Sequence, residues 1–465
     1  MRITTINNLS FCSAGFKQNN TKFREKVLKP KNLIAESLAL GVIGVSGAVI
    51  IKKTTPDKMI KALAKDLSIE LKKKIRPADL KSVMSIKEFE KYTKSLKKEN
   101  YISSPENIKK GIFRADFHSH SMFSDGASSV EDILSQAAEY GNKLNKINGE
   151  KFLFALSDHD GVGGVKEALK LIAENPKKYK NIKFIPAAEL SFPIISEPGS
   201  VKHNNFHNEI EMAELLIYGI NPFSKNSENY FTNLYNKRKC AIESSLKYAS
   251  ENIANIKFSE EEYNSYFLRK KTPYCMLYQH WRIFQYVNLK MRITQIAKEL
   301  NKNPEELYSK IMPELPRFGG FDGYALNKYL ENNNINNNSK TYLDEAYNIM
   351  KEISPHYKGP LFINKADSSF DEIVTLANQE NAQLAFAHPG FTLQNMTKST
   401  MAENVRNYIE KSDGRLKYSE SYHQAYPPNN ITAGEIEETN KIMENAGLIS
   451  IGGRDMHRDN FKFPV

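Results

Sequence analysis

Short apolar runs recur along the chain, and each is followed directly by polar residues. They are Phe152–Leu156, Phe184–Ala188, Leu384–Ala387 and Leu448–Ile451, and before them the segment Ala115-Asp116-Phe117 leads into two histidines. Runs of this length without polar alternation are typical of strands that are buried on both faces, as in parallel sheets. The pattern therefore predicts a parallel or mostly parallel sheet inside an α/β fold.

Helical signals separate these strands. They are a capping box of Ser128 with Glu131, a second of Ser369 with Glu372 before the helix Phe370–Glu380, and Gly447 as the C′ glycine after the helix Gly434–Ala446. Strands that alternate with helices in this way form β/α repeats. In a barrel of such repeats, the carboxyl ends of the strands converge on one mouth.

The stretch Asn221–Lys358 lacks strand alternation and is predicted to be a mainly helical insertion, assigned to residues 222–358. Ser259 with Glu262 forms a capping box, and Asn303 followed by Pro304 is an N-cap with proline at the first helical position. Asn332–Asn338 is rich in asparagine and is predicted to be a surface loop.

Residues able to bind metal follow each predicted strand. His118 and His120 are two positions apart, so on extended backbone their side chains project from the same face. The later strands lead into Asp158-His159-Asp160, Glu189, His388-Pro389-Gly390 and Gly453-Arg454-Asp455-Met456-His457. Mixed imidazole and carboxylate ligands suit Mn, Fe or Zn.

This ordered set resembles the PHP (polymerase and histidinol phosphatase) family of metal-dependent phosphoesterases, over roughly Ile112–Asn221 and Gly359–Asp459. The resemblance implies a distorted (β/α)7 barrel interrupted by the helical insertion, with two or three divalent ions (Mn, Fe or Zn) at its mouth. The ligands that it implies are His118, His120, Asp125, His159, Glu189, His388, Asp455 and His457. Glu214 stands where the family often has a histidine. A carboxylate can still bind these metals, so the third ion stays an open question.

Clustered divalent ions lower the pKa of a bridging water and clamp both oxygens of an in-line displacement. Hydrolysis of a phosphate ester by a metal-activated hydroxide is therefore the predicted reaction. The most similar PHP subgroup implies a phosphorylated small molecule of nucleotide type, or a short nucleic acid, as substrate. A histidinol-phosphate-like phosphomonoesterase and a non-catalytic, metal-free scaffold tethered to a membrane are the alternatives.

Two residues beside the ligands are candidate catalytic residues. Arg454 replaces a small family residue, and it could clamp a substrate phosphate or point into solvent. Asp160 could orient the imidazole of His159 or cap the turn at Gly161. The sequence leaves both choices open.

Charge is distributed unevenly along the 465 residues, whose net charge is +11. Residues 1–110 hold 24 Lys and Arg against 10 Asp and Glu, whereas the remainder holds 41 against 44. The basic excess therefore belongs to a leader, where it fits an anionic membrane surface or RNA. Cys12, Cys240 and Cys275 form no metal or redox motif and favour a reducing compartment.

The leader precedes a barrel assigned to residues 111–221 and 359–465. Residues 1–32 are predicted to be a disordered basic segment, and residues 54–110 a basic helical linker. Residues 33–53 contain an apolar run flanked by lysines, either a membrane anchor or a buried soluble helix. Nucleotide substrates and reduced thiols favour a cytoplasmic catalytic domain, with membrane association through 33–53 as a possibility. The oligomeric state is not predicted.

Overall fold

The computed structural model describes most of the chain from residue 57 onward. The described ranges are 57–101, 113–195, 210–252, 280–315, 323–335, 368–392, 397–423 and 433–456. The predictions for residues 1–32 and 33–53 fall outside these ranges, as do the capping box at Ser259 and the predicted ligand His457. Among the described residues, no helix combines the length and the apolar character needed to cross a membrane.

Seven described strands form one sheet in which spatial order follows chain order. They are β1 (Ala115–Asp116), β2 (Phe152–Leu156), β3 (Ile182–Ile195), β4 (Ile210–Tyr218), β5 (Gln383–Phe386), β6 (Leu416–His423) and β7 (Ile449–Gly453). The sheet curves until its ends nearly meet. There, Phe117 N donates to the carbonyl of Gly452 at 3.2 Å, and Asp455 N donates to the carbonyl of His118 at 3.0 Å. The result is a nearly closed α/β barrel.

One strand runs antiparallel to its neighbours. β4 pairs antiparallel with β3 on one side and with β5 on the other, while the remaining neighbours pair in parallel. The sheet is therefore mostly parallel, as predicted, with β4 as its antiparallel strand. β3 and β4 meet as an extended antiparallel pair, from Ala187 opposite Tyr218 to Ile195 opposite Ile210.

Helices flank the strands. Before β5 they are α1 (Lys58–Glu70), α2 (Ile86–Ser95), α3 (Val130–Asn148), α4 (Gly163–Glu174), α5 (Lys225–Asn252), α6 (His280–Glu299), α7 (Pro304–Ile311) and α8 (Gly323–Asn332). One more helix, Phe370–Glu380, lies directly before β5. After β5 the helices are α9 (Pro389–Thr392, a single turn), α10 (Lys398–Lys411) and α11 (Ala433–Asn445). The described residues between β4 and residue 335 are thus mainly helical.

The helix caps show how local sequence sets these boundaries. The helix Phe370–Glu380 begins at Ser369 with the predicted capping box to Glu372, and Asn303 caps α7 as expected. α3 begins one residue later than predicted, because the hydroxyl of Ser129 accepts from Asp132 N at 3.1 Å. Gly447 follows α11 with φ 89°, a left-handed conformation that favours glycine.

The segment expected to be a basic linker contributes to the barrel core. Phe89 on α2 is fully buried, and its ring centroid lies 5.1 Å from Phe117, 4.7 Å from Tyr218 and 5.3 Å from Tyr418. Met84 N donates to the carbonyl of Phe184 at 2.7 Å, at the start of β3. Apolar side chains from α2 therefore pack against interior residues of the strands, while the lysines of this segment face outward.

Candidate metal centre

Two histidines leave β1 and enter the barrel side by side. His118 and His120 are buried, and their Nε2 atoms lie 3.0 Å apart. Gly453 allows this placement, because a Cβ there would lie only 2.3 Å from the Cβ of His118. The glycine ahead of Arg454 is thus needed for the close approach of β7 to the first histidine.

The carboxylate of Glu189, in the middle of β3, lies at the centre of the site. Its Oε2 is 3.0 Å from Nε2 of His118, 3.3 Å from Nε2 of His120 and 3.1 Å from Nδ1 of His159. Its Oε1 is 3.1 Å from Nε2 of His388. One buried carboxylate therefore contacts imidazoles from three separate parts of the chain.

Three more predicted ligands surround this group. Oδ1 of Asp455 lies 2.9 Å from Nε2 of His120, and Oδ2 of Asp125 lies 3.6 Å from Nε2 of His159. Oε2 of Glu214, on the antiparallel strand, lies 3.3 Å from Nε2 of His388. The structure thus brings together every predicted ligand within its described residues, namely His118, His120, Asp125, His159, Glu189, Glu214, His388 and Asp455.

The donor atoms fall into two groups that share Glu189. His118, Glu189, His388 and Asp455 form one, and His120, His159 and Glu189 form the other; within each group the ligand atoms lie within 4.8 Å of one another. Imidazole nitrogens and carboxylate oxygens at this density suit Mn, Fe or Zn. These residues therefore fit two divalent cations with Glu189 as a shared ligand.

The histidines and carboxylates of the site shift one another's pKa values. Burial opposes protonation of the histidines, but the neighbouring carboxylates outweigh it. They raise the pKa of His159 to about 10 and that of His388 to about 9, and hold the pKa of His118 well above its usual range. Burial would raise the pKa of Glu189, yet the histidines hold it well below its usual value. Burial and Glu189 raise the pKa of Glu214 to about 7. The site thus concentrates negative charge that protons or cations must balance.

The backbone is left-handed at three positions of the site. Asp160 has φ 50°, His388 has φ 25° and Asp455 has φ 51°. Residues other than glycine persist in this region only when their surroundings hold them there, and such residues cluster at functional sites. Five other described non-glycine residues are left-handed as well, each just after a helix, whereas these three lie at or beside the candidate ligands.

The sequence analysis missed Glu420, a buried carboxylate on β6. Its Oε2 lies 2.9 Å from Nδ1 of His118 and accepts a hydrogen bond from His388 N at 3.1 Å. A carboxylate on the second ring nitrogen fixes the tautomer and orientation of a metal-binding histidine. The period-two alternation of Tyr418, Glu420 and Tyr422 was the available signal, since it predicts a strand with these residues on one face.

Arg454 lies beside a buried acid of β1. It is buried, its Nε donates to Oδ2 of Asp116 at 2.7 Å, and its backbone N donates to Oδ1 of the same residue at 3.1 Å. The burial of Arg454 rules out a solvent-facing side chain, and phosphate binding by this residue stays a prediction. Asp116, on β1, is a second buried acid that the sequence analysis missed.

Asp160 fixes the backbone beside His159. Its carboxylate accepts from Ser191 N at 3.1 Å and from the Ser191 hydroxyl at 3.3 Å, and pairs with Nη1 of Arg238 at 2.8 Å. Its own N donates to the carbonyl of Glu189 at 2.7 Å. These contacts differ from both expected roles, because they join Asp160 to β3 and α5 instead of to the His159 ring or the Gly161 turn.

Asp158 supports the loop that carries Asp125. It is buried, and its Oδ1 accepts from Ser121 N at 2.7 Å and from the Ser124 hydroxyl at 2.8 Å. Burial raises its pKa, against the effect of these hydrogen bonds. The first acid of the Asp-His-Asp motif therefore organises the residues between His120 and Asp125.

Comparisons with known proteins add little to this geometry. No family model and no curated protein matches the chain. One similar solved structure is a protein of Bifidobacterium adolescentis provisionally named as a metal-dependent phosphoesterase, with 15% identity, a TM-score of 0.40, and coverage of 74% of this chain and 87% of that one. Another is an amidohydrolase from Chromobacterium violaceum with bound sulfate and no metal, at 16% identity, a TM-score of 0.41, and coverage of 75% and 89%. Likeness at this level carries no information about chemistry, which the side chains of the site determine.

Proposed function

We propose that this chain is a metal-dependent phosphoesterase. The observation that carries the proposal is the position of Glu189, which belongs to both donor groups of the site. A carboxylate shared by two cations is the arrangement expected of two-metal hydrolytic sites. When bound, divalent cations supply Lewis-acid activation of water and offset the negative charge that develops on a phosphoryl group.

The protein residues hold this centre in a fixed geometry. Glu420 orients His118, and the Asp160 segment fixes the backbone of His159 against β3. Buried apolar residues, with Phe89 among them, fill the barrel interior. A substrate would therefore reach the ligands from the carboxyl ends of the parallel strands.

The proposed substrate is a phosphate ester of nucleotide type or a short 5′-phosphorylated RNA, on the basis of the resemblance to the PHP subgroup. A histidinol-phosphate-like phosphomonoesterase would use the same ligands. A metal-free scaffold is less compatible with the site, because it has no need for buried imidazoles and carboxylates in contact around Glu189.

Hydrolysis of an aryl phosphate with added Mn2+ tests the reaction class. We expect the wild type to be active, His118→Ala to be inactive, and His356→Ala, which changes a histidine outside every motif, to retain activity. Equal rates in the wild type and His118→Ala would overturn the proposal. A panel of 3′-phosphoadenosine 5′-phosphate, short 5′-phosphorylated RNA and histidinol phosphate would then rank the substrates.

A further inference from the structure

Among the residues that the structure describes, Arg238 on α5 is the largest of the side chains that are almost completely buried. Its Nη1 lies 2.8 Å from Oδ2 of Asp160, and the two side chains are only 2% and 3% exposed. A guanidinium in this environment needs a paired anion, since desolvation of an unpaired charge is strongly unfavourable. The helical region after β4 is therefore joined to the barrel by a buried ion pair next to a candidate ligand.

The acidic partner of Arg238 is held from a second side as well. Ser191 on β3 donates to Asp160 through its N, at 3.1 Å, and through its hydroxyl, at 3.3 Å. The same hydroxyl lies 3.4 Å from Oε1 of Glu214. Asp160 is thus fixed between α5 and β3, and these contacts explain how it keeps its left-handed φ of 50°.

The position of Asp160 in turn determines that of His159. Asp160 N donates to the carbonyl of Glu189 at 2.7 Å, and His159 pairs with Glu189 through an isolated parallel bridge. These bonds bring Nδ1 of His159 to 3.1 Å from Oε2 of Glu189. A shift of Asp160 would therefore move His159 relative to the shared carboxylate.

We infer that Arg238 is a positioning residue for the metal centre, through which helix α5 sets the placement of His159. The inference rests on the proposed function, because it requires that the site bind cations. Coupling between two regions is reciprocal. If the docking of α5 strengthens cation binding, cation binding stabilises the docking of α5 to the same degree.

Two measurements on the full chain test this coupling. The first is the Mn2+ affinity of Arg238→Met, Arg238→Lys and the control Lys237→Met, in which an exposed neighbour on the same helix loses its ion pair with Glu372. We expect Arg238→Met to bind Mn2+ at least about 10-fold more weakly than the wild type, in the range found for residues that orient metal ligands. Arg238→Lys should recover part of this loss, and Lys237→Met should bind like the wild type.

The second measurement is amide hydrogen exchange of α5 with and without Mn2+. We expect Mn2+ to slow exchange in α5 in the wild type and in Lys237→Met, and to have little effect in Arg238→Met. A merely structural ion pair would not make the effect of Mn2+ on exchange in α5 depend on Arg238. Because the wild-type comparison needs no variant, the test stands even if Arg238→Met does not fold.

The outcomes separate this inference from the proposed function. Wild-type protein that binds Mn2+ while exchange in α5 stays unchanged would overturn the role of Arg238 alone. Equal Mn2+ affinities for a folded Arg238→Met and for Lys237→Met would do the same. Wild-type protein that binds no Mn2+ would overturn both claims.

Discussion

Nδ1 of His118 lies 2.9 Å from Oε2 of Glu420, and both side chains are fully buried. This contact leaves Nε2 of His118 directed at Glu189, 3.0 Å away. Glu420 also accepts a hydrogen bond from His388 N at 3.1 Å, so one carboxylate fixes two candidate ligands from different strands. A residue outside every sequence motif therefore controls the geometry of the site.

Replacement of this carboxylate by an amide should weaken cation binding. We expect Glu420→Gln to bind Mn2+ about 10–100-fold more weakly, because a neutral partner orients and polarises the imidazole less than a carboxylate does. Glu410→Gln, at an exposed position on α10, is the matched control. Calorimetric titration with Mn2+ measures both, and equal affinities would show that Glu420 does not support the ligands.

Cation binding should release protons at neutral pH. Without a cation, His159 has a pKa of about 10 and His388 of about 9, so both rings are protonated at pH 7. A cation requires their neutral forms. The apparent Mn2+ affinity should therefore rise between pH 7 and pH 9, and the heat of binding at pH 7 should depend on the ionisation enthalpy of the buffer. Binding heats that do not change with the buffer would contradict this charge state.

The segment that contains α2 should be essential for stability. We expect Phe89→Ala to lower the free energy of unfolding by about 3–5 kcal/mol, because the ring leaves a cavity among aromatic side chains. Ile69→Ala, at a side chain that is 70% exposed, should change it by less than about 0.5 kcal/mol. Urea unfolding compares the two. Similar values for both variants would mean that α2 is not part of the core.

The pair of Arg454 and Asp116 should matter for folding. Arg454→Met leaves a buried carboxylate without its cationic partner, which is expected to reduce stability by about 3–5 kcal/mol. The double change Asp116→Leu with Arg454→Met should recover part of this loss, because it removes both charges of the pair. Thermal unfolding measures the difference, and a single variant as stable as the wild type would refute this role.

The side chains of the candidate metal centre could be predicted because each follows a predicted strand or lies in a short motif. His118, Glu189 and His388 were assigned from the rule that strand ends converge at one mouth of a barrel, together with the resemblance to the PHP family. Glu420 could not be assigned in this way, because a single acid in a polar strand carries no metal-binding signature. Its role depends on the position of β6 between β5 and β7, and the local sequence does not reveal which strands are neighbours.

The direction of β4 and the place of α2 could not be predicted either. An apolar run has the same composition in a parallel strand and an antiparallel one, so the sequence around Glu214 does not reveal its direction. In α2 the many lysines favoured a solvated linker. Ile86 and Phe89, three residues apart, form an apolar helix face that indicates packing against a core. The structure buries this face.

The most direct test of the metal centre is the metal content of the full chain after equilibration with Mn2+ and removal of free ions. The shared position of Glu189 predicts at least two ions per chain, with a marked loss in Glu189→Gln. One ion or fewer per chain in folded wild-type protein would contradict the account.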